Sequence, residues 1–281
     1  MSSVEVHPAP RFDLSREEYL ALDETEFRAR FRERTHHSLE IQTYAALHDG
    51  RKLSPTQTNT VDRLVELWKE RGLSTDLPDF RAAATLLGFA RASQAGVKVD
   101  LSSYAPGTTP EQDYPVFKKI VEERRSVRHW TEREVPDSVI DEILRAGTWG
   151  AHSCNLQSLR FIVAREKNES GLFRGSDVPG GPVHILALQD ERAYKANGYN
   201  PVRNRLLDAG AAVQNMVLAA HALGLGGVWL TFSDAMLERL YARFKLPEYL
   251  KLVTYIDVGY PDQTPAPPLR LGLDETLLLR I

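Results

Sequence analysis

The sequence predicts mixed α and β structure preceded by a wholly helical module, and three observations carry that prediction. Residues up to about Ala95 show helical caps and helical apolar spacing with no β-rich run. Val97 to Asp113 collect Ser, Pro, Gly and Thr in the manner of a linker. From Tyr114 onward, short β-branched and aliphatic runs alternate with helical ones, which leaves the α/β and α+β classes both open. A chain of 281 residues can bury a substantial core, and its length fits one domain with a smaller appendage.

Taken in order, residues 1–13 are Pro-rich and aperiodic and are expected to form a flexible tail. Ser15 offers an N-cap with Glu18 as its capping-box partner, so a helix is expected to begin there. A second helical run spans Glu24 to Leu47 and stops at Asp49-Gly50. A third starts at Ser54-Pro55, places Val61, Leu64, Val65 and Trp68 on one face, and ends at Gly72. A fourth, Phe80 to Ala95, carries Leu86, Leu87 and Phe89. The helical module is therefore residues 14–96 and the linker 97–113. Beyond it a short helix runs from Tyr114 to Glu123, and another starts at Pro136 with Val139, Ile140, Ile143 and Leu144 on one face. Strands are expected at Arg160–Ala164, Val183–Leu188, Gly227–Thr231 and Leu252–Val258, with a long helix Val202–Leu223 and a further helix from Asp234 between them.

Composition narrows the function. Lys and Arg total 35 against 38 Asp and Glu, so no global basic field exists to draw nucleic acid. The single cysteine, Cys154, excludes an intrachain disulfide and a thiolate-cluster metal site supplied by one chain. No signal-peptide core and no run of about 18 apolar residues occur, so a soluble cytoplasmic protein without a membrane partner is expected.

Three constellations carry chemistry. Arg124, Arg125, Ser126 and Arg128 put three guanidiniums and a hydroxyl within five residues at a helix end, an anion clamp by composition. Taken alone, such a cluster is more often a solvated face, here paired with Glu122, Glu123 and Glu132. The loop Trp149 to Gln157 delivers His, Ser, Asn and Gln before a strand, which suits a heteroaromatic ring, although such residues also cap their own backbone. Finally, Asp208 to Gly226 reads as a buried helix whose small residues Ala209 to Ala212 allow close approach and whose Gly224 and Gly226 lead into a strand.

In this order and spacing the segments resemble the nitroreductase family of FMN enzymes. That family shows Arg-Arg-Ser-x-Arg, a helix, a loop Ala-Pro-Ser-x-x-Asn-x-Gln-Pro-Trp before a strand, and a long helix ending Ala-x-Gly-Leu-Gly. The chain also has the family's ending, Val258-Gly-Tyr-Pro261 followed by Arg270. The resemblance covers residues 114–272. More weakly, Thr35-His-His-Ser-Leu-Glu40 and the helices after it are similar to the leader of nitroreductase-like proteins of polysaccharide gene clusters.

The resemblance implies an α+β three-layer sandwich with a central, mainly antiparallel sheet over residues 114–281, preceded by a helical extension. It implies a homodimer binding FMN at the subunit interface, reduced by NADH or NADPH and reducing a small acceptor in ping-pong order. Arg124, Arg125, Ser126, Arg128 and Arg270 align with the residues for the FMN phosphate, ribityl chain and pyrimidine edge. Ala151, His152, Ser153, Asn155 and Gln157 align with the loop that reaches the partner's flavin, and Leu230 and Thr231 with the stretch beside the flavin N(5) nitrogen. Members that remove iodide from iodotyrosine carry a Thr at the place of Thr231. A hydroxyl donor there favours one-electron steps; alternatively, it satisfies a backbone group at the strand end.

Departures from the family pattern keep alternatives open. His152 replaces a Ser, and Ser158-Leu159 replace Pro-Trp, at what is expected to be the flavin entrance. An imidazole there is either a proton donor and substrate ligand or structural, and Cys154 is either reactive or a buried spectator. The segment Glu166 to Gly181 is short, which leaves Arg174 as the candidate basic contact to the ring, and Asp190 to Asn204 is either a substrate lid or ordinary surface. No metal-ligand spacing, P-loop, dinucleotide fingerprint or G-x-S-x-G elbow occurs, so no metal is expected and the flavin must carry the chemistry. Two other readings remain: a flavin-dependent dehydrogenase or oxidase of a specialised metabolite or peptide, and a non-catalytic flavin-binding or metabolite-binding module.

Overall fold

A computed structural model describes residues 14–175 and 180–281. The tail expected over residues 1–13 lies outside the described residues. Helix α1 (Arg16–Ala21) opens on the expected capping box, with Ser15 Oγ accepting from Glu18 N at 3.1 Å and Glu18 Oε2 accepting from Ser15 N at 2.7 Å. The second helical run is continuous in space but changes pitch. It consists of α2 (Glu24–Arg34), a π-helical turn (Thr35–Glu40) and α3 (Ile41–Asp49). Helices α4 (Thr56–Glu70) and α5 (Pro78–Ala95) complete the module, and Gly50 (φ 65°) and Gly96 (φ 73°) end α3 and α5 in the left-handed conformation that glycine adopts without a Cβ penalty. Tyr19, Phe27, Phe31, Leu64, Trp68 and Leu87 form its core.

Helix α6 spans Pro110–Glu123, four residues earlier than the spacing suggests, because Pro110 sits at its first turn with Glu111 and Asp113 facing the positive helix end. Next come α7 (Asp137–Thr148), β1 (Leu159–Arg165), β2 (Val183–Asp190), α8 (Glu191–Tyr194), α9 (Val202–Ala222), β3 (Gly226–Leu230), α10 (Asp234–Phe244), β4 (Leu250–Gly259) and α11 (Leu273–Thr276). Among the described residues the sheet has the order β1-β2-β4-β3, antiparallel throughout. The period-two alternation of β2 builds both cores: Val183, Ile185 and Ala187 meet Ile140, Val213 and Met216 of α7 and α9, while Leu186 and Leu188 meet Met236 and Leu240 of α10. The sheet is thus the middle layer of an α+β sandwich. Ala29 of α2 joins Leu156, Ala193, Tyr194 and Ala196 in a further cluster, so the extension packs directly on the loop before β1.

Within the sheet, His184 is fully buried between two carboxylates, its Nδ1 2.5 Å from Asp257 Oδ1 and its Nε2 3.0 Å from Glu166 Oε2, with Phe173 stacked on the ring at 3.7 Å. Among the described residues no helix is long and apolar enough to cross a membrane.

Candidate functional site

The arginine segment leaves α6 at Arg124 and runs beside β3. Ser126 forms a parallel bridge to Gly227, and Val127 N donates to Gly227 O at 3.2 Å. Gly226 permits this approach, since a Cβ there would stand 2.7 Å from the Val127 side chain. Trp130 Nε1 pins the same strand by donating to Gly226 O at 2.8 Å.

Along this segment the guanidiniums gather without neutralisation. Burial, followed by the charges of Arg270 and Arg125, pushes Arg124 below its ordinary value. Arg125 Nη1 donates to the carbonyls of Glu122 and Arg124 at 2.6 and 3.0 Å, and Arg270 Nη1 to that of Leu269 at 2.8 Å. Arg128 is exposed, its backbone N–H held by Gln263 Oε1. Among the described residues no carboxylate pairs with Arg124, Arg125, Arg128 or Arg270, so the glutamate pairing does not form, while Arg128 and Arg270 stand exposed. Like charges brought together around the half-buried Arg124 and Arg125 suit an anion, and planar forks fit the oxygens of a phosphate.

Strand β3 ends at Leu230, leaving Thr231 just beyond it and exposed. The strand-end backbone group that Thr231 could have satisfied is taken by Thr254, whose Oγ1 donates to Leu230 O on partners close enough that it also accepts from Trp229 Nε1 at 2.6 Å. Among the described residues the Thr231 hydroxyl has no hydrogen bond. Running parallel to the arginine segment, β3 carries Thr231 about 13 Å along from Gly227 at roughly 3.3 Å per residue.

The loop 151–157 is strained and firmly held. Cys154, Asn155 and Gln157 have φ of 53°, 51° and 51°, a region that non-glycine residues occupy at a cost of about 1–3 kcal/mol each. Gly150 lets the loop rest on α9, where a Cβ would stand 2.8 Å from Ala212 N, as the small residues of that helix suggest. Ser153 N donates to Asp208 Oδ1 at 2.9 Å, Tyr194 OH to Asp208 Oδ2 at 2.9 Å, and Ser158 Oγ to Tyr194 OH at 2.8 Å. Ser158 is therefore fully buried beneath the loop, not at an entrance. Burial raises Tyr194 far above the usual phenol range, so it stays a donor. From the extension, Arg32 Nη2 donates to Leu156 O at 2.7 Å and Asn197 Nδ2 bridges Glu33 Oε1 (3.0 Å) and Cys154 Sγ (3.4 Å).

Burial lowers His152, an effect that Asp208 opposes and Arg32 reinforces, and its Nδ1 is buried without a partner among the described residues. Burial pushes the Cys154 thiol up, which favours a spectator. Asn155 Oδ1 accepts from Gln157 Nε2 at 2.9 Å, and Ala151 is exposed. Arg174 turns back to Gly171 O at 3.1 Å, and its carbonyl accepts from Arg239 of α10. In the stretch expected as lid or surface, Tyr194 and Asn197 are anchored and Tyr199 is exposed.

The structure thus joins Arg124, Arg125 and Arg270, and separately joins His152, Ser153, Asn155 and Gln157. Among the described residues no hydrogen bond or ion pair links the two groups within one chain. Sequence reasoning missed the supports: Asp208 and Tyr194 beneath the loop and Arg32 above it. A usable signal was the Arg28/Arg32 pair four residues apart on α2, a repulsive spacing unless something neutralises it.

A family model, Nitroreductase, matches residues 121–174 and 169–260. A protein from Methanothermobacter thermautotrophicus carrying the provisional name NADH dehydrogenase/NAD(P)H nitroreductase is 34% identical over 152 residues, 52% of this chain and 77% of its own. FMN reductase [NAD(P)H] of Bacillus subtilis is 27% identical over 173 residues, 54% of this chain and 69% of its own. Among solved structures, a provisionally named nitroreductase from Desulfovibrio desulfuricans in complex with FMN superposes with a TM-score of 0.53 at 34% identity, over 59% of this chain and 97% of that one.

Proposed function

Since the chain belongs to the nitroreductase family, we propose that it is an FMN-dependent oxidoreductase that draws electrons from NADH or NADPH and passes them to a small nitro, quinone, halogenated or unsaturated acceptor. The observation that carries this reading is the gathering of Arg124, Arg125 and Arg270 with no carboxylate among the described residues to neutralise them. These residues fit the phosphate of FMN. FMN, when bound, would supply the redox chemistry between NAD(P)H and the acceptor.

The chain's own residues bind and orient. Arg124, Arg125, Arg128 and Arg270 hold the phosphate and ribityl chain through charge-assisted bonds, and Ser126 serves the polar edge of the ring. Leu230 and Thr231 would stand at the N(5) side, where the unengaged Thr231 hydroxyl would donate. Ala151, His152, Ser153, Asn155 and Gln157 reach the site from a second copy of the chain. In its buried surroundings His152 is neutral, and its free ring nitrogen orients the acceptor or exchanges a proton with it.

The working unit is a homodimer, as the exposed apolar side chains of Phe117, Leu206, Leu207, Leu271 and Leu279 support. In each subunit residues 114–281 form the FMN-binding domain and 14–96 a helical extension, joined by 97–113. The protein acts on small molecules in the cytoplasm and uses no nucleic-acid or membrane partner.

The test is an absorbance spectrum of the purified protein, repeated under anaerobic NADPH and then NADH. A flavin spectrum that bleaches within the mixing time supports the reductase. A flavin that stays oxidised points to a dehydrogenase or a binding module, and absence of flavin after reconstitution overturns the reading.

A further inference from the structure

A cavity of about 560 Å³ lies between the helical extension and the loop assigned to the flavin. Its volume falls in the range of small-molecule sites, about 300–1,000 Å³. One wall comes from α2, the π-helical turn and the start of α5; the other comes from Asn155, Gln157 and Arg160. Asn155 and Gln157 belong to the strained loop, so the cavity adjoins the flavin position on the reading above.

Cationic groups dominate its inner wall. Asp79 is shared by two guanidiniums, accepting from Arg32 Nη1 at 2.7 Å and Arg28 Nε at 3.2 Å. Arg160 Nη2 stands 3.7 Å from Asp190 Oδ2, while the oxygens of Asp190 already accept from Arg192 at 2.9 and 2.7 Å. Arg28 also pairs with Glu24 Oε1 at 3.4 Å, whereas Arg160 has no carboxylate of the cavity wall as a partner among the described residues, and the charges of Arg28 and Arg160 each add to the burial that lowers Arg32. Thr35, 6% exposed, lines the cavity with a hydroxyl that has no partner among the described residues, and Arg32 Nε is likewise unpartnered. Buried polar atoms left in this state carry a cost that a ligand oxygen removes. The wall includes a π-helical turn, a distortion common at functional sites. More exposed, Glu24 and Glu40 also line the cavity, Glu40 standing 2.9 Å from His36 Nδ1.

We propose that this cavity binds the carboxylate of an organic acid whose other end reacts at the adjoining flavin, with Arg160 and Arg28 as the fork and Thr35 as a further donor. The extension is then a specificity element of the active site. The proposal rests on the FMN oxidoreductase reading, and its test separates the two.

The probes are 4-nitrobenzoate and 4-nitrobenzamide, which share ring and nitro group and differ in charge. Binding to the FMN-loaded protein is measured by calorimetry, and turnover with NADPH and with NADH is followed alongside. The acid is expected to bind at least about tenfold more tightly than the amide, as charge-assisted bonds require. Arg160→Met and Arg28→Met, on opposite walls, are each expected to shrink that ratio several-fold in both Kd and KM. Equal binding of acid and amide, or a ratio unmoved in both variants, overturns the proposal. A ratio that holds while the NADPH-over-NADH preference collapses overturns it too, and assigns the cations to the donor's phosphate. Failure of the broader reading is distinguishable, because it registers as missing or unbleached flavin before any acid is added.

Discussion

Replacing Arg124 with Met removes a charge while keeping an unbranched side chain, and the structure predicts effects of opposite sign with and without FMN. In the loaded protein one charge-assisted contact to phosphate disappears, a loss of about 1.5–3 kcal/mol. At about 1.4 kcal/mol per decade this weakens FMN roughly 10- to 150-fold. In the apoprotein the same change relieves the repulsion that Arg125 and Arg270 exert on a partly buried guanidinium. The apo form is therefore expected to melt at an equal or higher temperature than the parent at low ionic strength, and inorganic phosphate should stabilise the parent more than the variant. Fluorescence titration of apoprotein with FMN gives the first quantity, and thermal melts with and without phosphate give the second. Unchanged FMN affinity, together with an unchanged phosphate response, refutes the argument that these arginines are gathered for an anion.

Four further outcomes are expected. Gly150→Ala drives a Cβ to 2.8 Å from the Ala212 backbone nitrogen, so the loop must shift; overpacking of this kind costs about 1–3 kcal/mol, a fall of several degrees in the melting midpoint, with weaker FMN binding read in the same titration. Burial depresses His152 in the folded state, so between its folded value and about 6.5 the unfolded chain binds more protons; its contribution to stability is complete above about pH 6.5 and is lost as pH falls, and His152→Gln should flatten that part of a stability-versus-pH curve. Thr231→Val should change turnover while leaving stability within about 0.5 kcal/mol. Thr254→Val, which strands Leu230 O and Trp229 Nε1, should cost about 1–3 kcal/mol in urea unfolding.

Local signals in the sequence carried much of this fold. The Ser15–Glu18 box, the glycines that end α3 and α5, and the alternation in β2 each act within a few residues, so spacing alone locates them. The start of α6 was misjudged because Pro110 reads as linker composition as readily as a first helical turn. Of the candidate site, the arginines were legible as a cluster, but Arg270 joins them through a long-range approach that no spacing encodes. The π-helical turn leaves the apolar rhythm of the helix almost untouched and was invisible. The role of Asp208 was hidden for the same reason: it acts through Tyr194, Ser158 and Ser153, which only the tertiary fold brings around one carboxylate.

The bond from Arg32 to the carbonyl of Leu156 has a consequence for anyone building chimeras of this chain. A crossover in the 97–113 segment, the obvious seam, cuts a unit whose parts depend on each other. A graft of residues 14–96 onto a related catalytic domain brings Arg32 to a loop with a different backbone path, and a catalytic domain expressed alone keeps three left-handed residues with one of their anchors gone. The transferable module is therefore discontinuous in sequence: the extension travels with residues 152–160, so that Arg32 keeps the carbonyl it holds.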